Sequence, residues 1–395
     1  MNRNHGMEAH FGLGGGMVKE QSRRNLEIAE DYLRKRRPND AAPYLLKALD
    51  QDPDNLDAMI QVAFIAPDLP TAVETIEVAE RKGRAILRRE LGDDCFDDDG
   101  KTVGHFWMIL QTRPYMRVLQ AMVKLYWDTE KYDKSCETIV EMMRLCPGDN
   151  MGQRFSVGSH LLVCKRYADA LYFCQQWLTD DANGQGAPPL RGGTAFKAPH
   201  RNTMAVRKEK NYKYTPAAIL YSAAIASFKH WGDCEQARQY LKMAAKNNPN
   251  VLLKVLGNVK KPSGFNNNPR TSNGPEDAQD YLFLTHDLWM EPTVWNWAND
   301  NPDVKAAVLK VCSRPTCGVR EVRVAEYKRC SACHLVSYCS AACQKDDWAR
   351  HKPECIAHKN NKAAMRAFSI GKPAPHDSPF AAMFSSDMMD AMPDL

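Results

Sequence analysis

Between residues 312 and 355 the chain reads Cys312-x4-Cys317-x12-Cys330-x2-Cys333-x5-Cys339-x3-Cys343-x7-His351-x3-Cys355. A segment this short cannot bury enough apolar surface to hold itself together, so these side chains must supply the cross-links. The N-terminus carries His5, Glu8, His10 and a glycine run at 14–16 and no apolar leader. A chain of that kind with thirteen cysteines is expected in a reducing, intracellular setting, cytoplasm and/or nucleus, where clustered thiols bind metal rather than oxidise. Eight donors in four close pairs suffice for two tetrahedra. A knuckle turn offers two thiolates to one ion, and the pairs Cys339/Cys343 and His351/Cys355, four apart, can share a helical face. Sulfur and imidazole donors select zinc over calcium or magnesium. Spacing alone leaves open which pairs share an ion. Eight protein donors for two ions leave no position for water or substrate, so structural rather than catalytic zinc is expected.

The rest of the chain reads as mainly α. Ala29, Tyr32, Ala41, Leu45, Ala48 and Pro53 are separated by 3, 9, 4, 3 and 5 residues. The same gaps join Val123, Tyr126, Ser135, Ile139, Met142 and Pro147, and again Ile225, Phe228, Ala237, Leu241, Ala244 and Pro249. Gly158, Leu161, Ala170, Cys174 and Trp177 repeat them without the proline, and Ile60, Ala63, Ala72, Ile76 and Ala79 form a fainter copy. Residues three or four apart make one helical face, and the gap of nine crosses a turn between paired helices. The proline ends the second helix. This pattern resembles the tetratricopeptide repeat, whose unit is a helix–turn–helix of ~34 residues. An irregular repeat array is therefore expected over 23–300, interrupted by loops at 183–213 and 260–276. A helical stretch at 276–297 should cap it, and a link at 291–304 should lead to the finger. Residues 1–22 and 363–395 are expected to be disordered. The six cysteines outside the cluster (Cys95, Cys136, Cys146, Cys164, Cys174, Cys234) are expected as core residues.

The cysteine-rich segment, with Tyr338 before Cys339, Gln344 after Cys343 and Trp348 three residues before His351, resembles a MYND zinc finger, here spanning 305–360. The resemblance implies an interleaved, cross-braced arrangement. Cys312, Cys317, Cys339 and Cys343 would hold one zinc; Cys330, Cys333, His351 and Cys355 would hold the other. The four-residue gap inside the first pair, with Pro315 in it, departs from the family's usual two. His334 and His358 are read as surface residues. The resemblance further implies a protein-interaction module that takes short proline-containing peptides, with Gln344 bonding the peptide backbone and Trp348 packing a proline.

Other functions find less support in the sequence. No apolar run reaches the ~18–20 residues of a membrane span. Residues 305–362 carry twelve basic and five acidic side chains, but without interleaved aromatics or a recognition helix nucleic acid is not the expected partner. The acidic run at 93–100 fails as a calcium loop because Cys95 and Phe106 stand at ligand positions. No phosphate-loop, dinucleotide-binding or GxSxG pattern occurs. A SET–MYND lysine methyltransferase would need an NHSC-like motif and a GxG cofactor turn within a β-rich domain, and no NHSC-like motif or β-rich domain is read here. A RING-type ubiquitin ligase also uses a cross-brace, but Tyr338, Gln344 and Trp348 fit MYND better. The expectation is a non-enzymatic adaptor with a helical groove and a peptide-binding finger; the alternative is a transcription- or chromatin-associated regulator.

Overall fold

The computed structural model describes residues 18–179, 187–213, 215–266 and 271–369. The expectations for most of 1–22, for 183–186 and 267–270 within the two loops, and for the tail beyond 369 lie outside them. The chain divides into two compact units, Met1–Met243 and Ala244–Leu395, with the boundary inside a helix.

The first unit is a succession of helical hairpins. Helices α1 (Glu20–Arg34) and α2 (Pro38–Gln51) pair, as do α3 (Leu56–Phe64) with α4 (Leu69–Leu91), α5 (Arg113–Asp128) with α6 (Tyr132–Leu145), and α7 (Arg154–Val163) with α8 (Tyr167–Trp177). Successive hairpins touch, and α9 (Ala217–Trp231) lies against α7 and α8. The repeated positions form the core: Ala29, Ala41, Leu45, Ala48, Ser135, Ile139, Met142, Leu161, Ala170, Cys174, Ile225 and Ala237 are all buried. Small residues are required where helices cross. Ser135 Oγ donates to the Val123 carbonyl at 2.8 Å, and a Cβ on Gly158 would lie 2.8 Å from Ser222 Cβ.

The hairpin turns repeat as well. The residue four after the apolar position has a positive φ in each: Arg36 (φ 58°) after Tyr32, Glu130 (φ 59°) after Tyr126, Lys165 (φ 59°) after Leu161, and Gly232 (φ 77°) after Phe228. In the first three the next N–H returns to the apolar residue's carbonyl: Arg37 to Tyr32 at 3.0 Å, Lys131 to Tyr126 at 2.8 Å and Arg166 to Leu161 at 2.9 Å. This is the geometry that ends a helix by satisfying its last carbonyls.

Across the stack, Arg117 on α5 grips Asp57 on α3 through two bonds, Nε–Oδ1 at 2.7 Å and Nη2–Oδ2 at 2.8 Å, both residues buried. The expected loop at 183–213 is tied down where described. Trp177 Nε1 donates to the Gly192 carbonyl at 3.0 Å, and Gln175 bonds His200 through both ends of its amide.

Helix α10 (Glu235–Asn247) contains the boundary between the units. The second unit contains α11 (Asn250–Leu256), α12 (Pro275–Trp289), α13 (Pro292–Asp300) and α14 (Pro302–Val308), with Trp289, Val294, Ala298 and Val304 buried. Each of the last three opens on a proline, whose missing N–H is no loss in a first turn. The stretch expected as a link at 291–304 is therefore helical. Asn301 caps α14 by accepting from Asp303 and Val304. After the finger's two short strands, helix α15 (Ala341–Ser369) runs past 363, where a tail was expected, with Ala364 buried.

Candidate metal centre

The first cysteine pair sits on a hairpin. Val311 bridges Arg320, Cys312 N–H donates to the Val319 carbonyl at 2.8 Å, and Glu321 N–H returns to Lys310 at 2.8 Å. Cys312 and Cys317 thus face each other across a turn, which absorbs the two extra residues of the 312–317 spacing. The hairpin is pinned from below by Glu321, 3% exposed. Its carboxylate accepts the N–H of Lys310 and that of Tyr327, both at 2.8 Å. Nothing in the sequence singles out this glutamate among the basic residues around it.

The second pair occupies a knuckle between β1 (Lys328–Arg329) and β2 (Ser337–Tyr338), paired antiparallel with Lys328 opposite Tyr338. Cys330 N–H donates to the Val336 carbonyl, the His334 N–H to the Cys330 carbonyl, and the Leu335 N–H to Cys333 Sγ. Cys343 and both members of the fourth pair ride on α15, while Cys339 stands two residues before it, so the third pair does not share a helical face. Ser340 precedes the helix and its hydroxyl accepts the Cys343 N–H at 3.2 Å, the arrangement of a helix cap. Cys343, Asp347, His351 and Cys355 then follow at intervals of four, all buried, along one face.

These elements gather two sets of donors, Cys312, Cys317, Cys339 and Cys343 in one, Cys330, Cys333, His351 and Cys355 in the other. All donor atoms of a set lie within 4.8 Å of one another. The pairing is the interleaved one: first with third, second with fourth. In the first set Cys317 Sγ is 3.6 Å and Cys343 Sγ 3.5 Å from Cys339 Sγ. In the second, Cys330 and Cys355 sulfurs are 3.8 Å apart and Cys333 Sγ is 3.4 Å from His351 Nε2. A tetrahedral zinc with bonds of ~2.3 Å to sulfur and ~2.0 Å to nitrogen requires edges of about 3.8 and 3.5 Å. The donor sets fit such an ion.

Two of the donor thiols are held toward the thiolate and two are held away from it. Burial works against ionisation of Cys330, but the N–H groups of Cys333 and Ala332 and the His351 ring hold its thiol down at about 6. The Ser340 hydroxyl, then Cys339 and the Arg314 guanidinium, hold Cys343 down at about 7. Cys339 rises because it donates to Cys343, and Cys355 rises with burial and its contact with Cys330. Arg314 lies 3.9 Å from Cys343 Sγ and pairs with Asp346 at 3.0 Å.

A shared set of bonds clasps the two sites. Tyr338, next to Cys339, donates to Asp347 at 2.8 Å, Asp347 holds Arg350 through both carboxylate oxygens, and Arg350 reaches the Ser313 carbonyl. Ser313 and Ser337 exchange two further bonds. His334 is exposed and His358 half-buried, and neither joins a donor set. Of the six dispersed cysteines, Cys95, Cys136, Cys146 and Cys174 are buried and the other two half-buried.

Gln344, half-buried, and Trp348, exposed, lie one turn apart on α15. Trp348 is 41% exposed while its ring meets His351 edge-on at 5.9 Å. It covers the second donor set and still offers a face to solvent.

Sequence comparison agrees with this geometry. The family described as MYND finger matches residues 310–355. Two F-box proteins of Arabidopsis thaliana are each 52% identical to this chain over 48 residues, 12% of this chain and 13% and 14% of theirs. The SET domain and MYND-type zinc finger protein 6 of Schizosaccharomyces pombe is 42% identical over 57 residues, 14% of this chain and 11% of that protein. The aligned part spans about an eighth of the F-box relatives' length. Residues 310–355 are a MYND-type zinc finger, a protein-interaction module built on two sets of metal donors.

Proposed function

We propose that this chain is a non-enzymatic adaptor that holds two structural zinc ions and binds other proteins through its finger and its helical hairpins. The observation that carries this reading is the closure of the metal centre. All eight donors are committed to two four-member sets, and a catalytic zinc needs a position left open for water or substrate. In modules this small, metal binding of about 10–16 kcal/mol per ion is folding free energy, which makes the zinc a scaffold.

The peptide site of the finger is the outer side of α15, with the Gln344 amide bonding an extended backbone and Trp348 stacking on an apolar residue, proline among them. The helical region is tetratricopeptide-like. Support comes from its paired helices, from burial at the repeated positions, and from the positive-φ residue at the same place in four turns. Stacked helix pairs of this type commonly present a surface for segments of other proteins. Two weak sites on one chain gain avidity for a partner that spans both.

Relatives named for a SET domain raise methyl transfer as the competing activity, but their similarity lies over the finger. Metal analysis of the purified chain is expected to give two zinc ions. Affinity capture with the intact chain and with Cys339→Ala should separate finger partners, lost in the variant, from helical-region partners, which remain. Transfer of a methyl group to lysine by the purified protein would overturn the adaptor reading.

A further inference from the structure

The outward side of α15 carries more than a peptide site. Lys345, Trp348, Lys352, Ile356 and Lys359 are spaced three, four, four and three apart. At 100° per residue these steps keep all five within a stripe about 80° wide. All five are exposed, Trp348 by 41% and Ile356 by 48%. The three lysines have no ion-pair partner among the described residues. Basic and apolar side chains thus alternate along four turns of one helix at exposed positions, with Trp348 at the border of the donor face.

The segment that follows has the complementary chemistry. Residues 380–395 contain Asp387, Asp390 and Asp394, no basic residue, and the apolar side chains Phe380, Met383, Phe384, Met388, Met389, Met392 and Leu395. The aspartates are three and four apart, so in an extended chain the outer two lie about 23 Å apart, close to the about 21 Å that separates Lys345 from Lys359 along the helix.

The reach also matches. From Trp348 to the helix end at Ser369 is 21 residues, or about 31 Å at 1.5 Å per residue. The ten residues 370–379, extended, cover about 33 Å. That is an upper limit, so a chain that reverses after Ser369 with its linker less than fully extended can lay 380–395 alongside Lys345–Lys359.

We propose that 380–395 docks on this stripe in the same molecule, its aspartates against Lys345, Lys352 and Lys359 and its methionines against Trp348 and Ile356. A tethered segment is present at an effective concentration in the millimolar range, so contacts too weak to hold a free peptide suffice. The tail would then compete with outside ligands for Trp348; only that consequence rests on the peptide-site reading above.

The test uses a fluorescent peptide of sequence 380–395 and the chain ending at Ser378, with anisotropy as readout. The shortened chain is expected to bind the peptide, and the full chain to bind it about tenfold more weakly because its own tail occupies the stripe. Added salt should weaken binding. In the shortened chain, K345E/K352E/K359E should lose binding about tenfold, with K345Q/K352Q/K359Q intermediate; zinc content and circular dichroism check that both variants fold. No binding by the shortened chain, equal binding by the full chain, or indifference to the lysine variants would overturn the proposal. So would concentration-dependent dimers of the full chain that vanish on shortening, since the tail would then act between molecules. A proline-containing peptide without acidic residues separates the two readings. If it binds and the tail peptide does not, the docking proposal alone fails; if the tail peptide binds and it does not, the proline-peptide reading alone fails.

Discussion

Tyr338 donates its phenolic hydrogen to Asp347 at 2.8 Å, inside the finger and away from solvent. Tyr338 stands beside a donor of the first set. Asp347 lies midway on α15 between Cys343 of the first set and His351 of the second. Arg350, and then the Tyr338 hydroxyl, hold the Asp347 carboxyl below the ordinary carboxylate range. Tyr338→Phe keeps the ring and removes the bond, at an expected cost of about 1 kcal/mol. Transfer of zinc to a chromophoric chelator should be faster in the variant, with the ion count per chain unchanged.

Cys339 is within 3.6 Å of two other donors of its set. Cys339→Ala is expected to unfold 312–355 as a whole, because the two sets share the clasp of Tyr338, Asp347 and Ser313. Metal analysis should find fewer than one tightly held zinc per chain, and far-ultraviolet circular dichroism should show the helices of the first unit intact. A variant that keeps two zinc ions would refute the assignment.

The ion pair between Asp57 and Arg117 stands where two hairpins meet. Arg117→Met strands a buried carboxylate, and about 3–5 kcal/mol of stability should be lost. Replacing both residues by apolar ones of similar volume should recover much of it. Urea titration of the two variants and the parent measures the difference.

His160 is buried, with its Nδ1 at 2.9 Å from the Ser156 carbonyl and its ring edge-on to Trp127 at 4.8 Å. Burial pushes its pKa down to about 4 from the ordinary 6.5, so the folded ring stays neutral. Below pH 6.5 the unfolded chain takes up a proton that the folded chain refuses. The stability associated with the neutral ring is therefore complete above pH 6.5 and lost as the pH falls toward 4. The full loss is about 3 kcal/mol. His160→Gln should flatten that part of the dependence of the melting temperature on pH.

Much of the metal centre was legible because metal ligands leave marks that chemistry enforces. The sequence supplied all eight donors, and the resemblance supplied their division into two sets. The helical hairpins showed through Ala41, Ser135 and Ala237, whose small size is demanded where helices meet. What stayed hidden has no compositional signature. Arg36, Glu130 and Lys165 take a positive φ where the fourth turn has Gly232, and nothing about arginine, glutamate or lysine announces that conformation. Glu321 reads as one charge among many until the fold brings Lys310 and Tyr327 to it. A helix was expected as far as 297 but not over Pro302–Val308, whose proline stands in a first turn, where proline belongs.

The interleaving of the donor pairs also sets an order of events as the protein is made. Neither set can be completed by its first pair, nor by the second pair that follows it. The first set closes only when Cys343 has left the ribosome, and the second only when Cys355 follows, twelve residues later. At ~5–20 residues per second that interval is about one second. Five reduced thiols wait in an unfinished loop before Cys343 emerges, and Cys330 and Cys333 wait through the last interval, so the opening turns of α15 decide when that exposure ends.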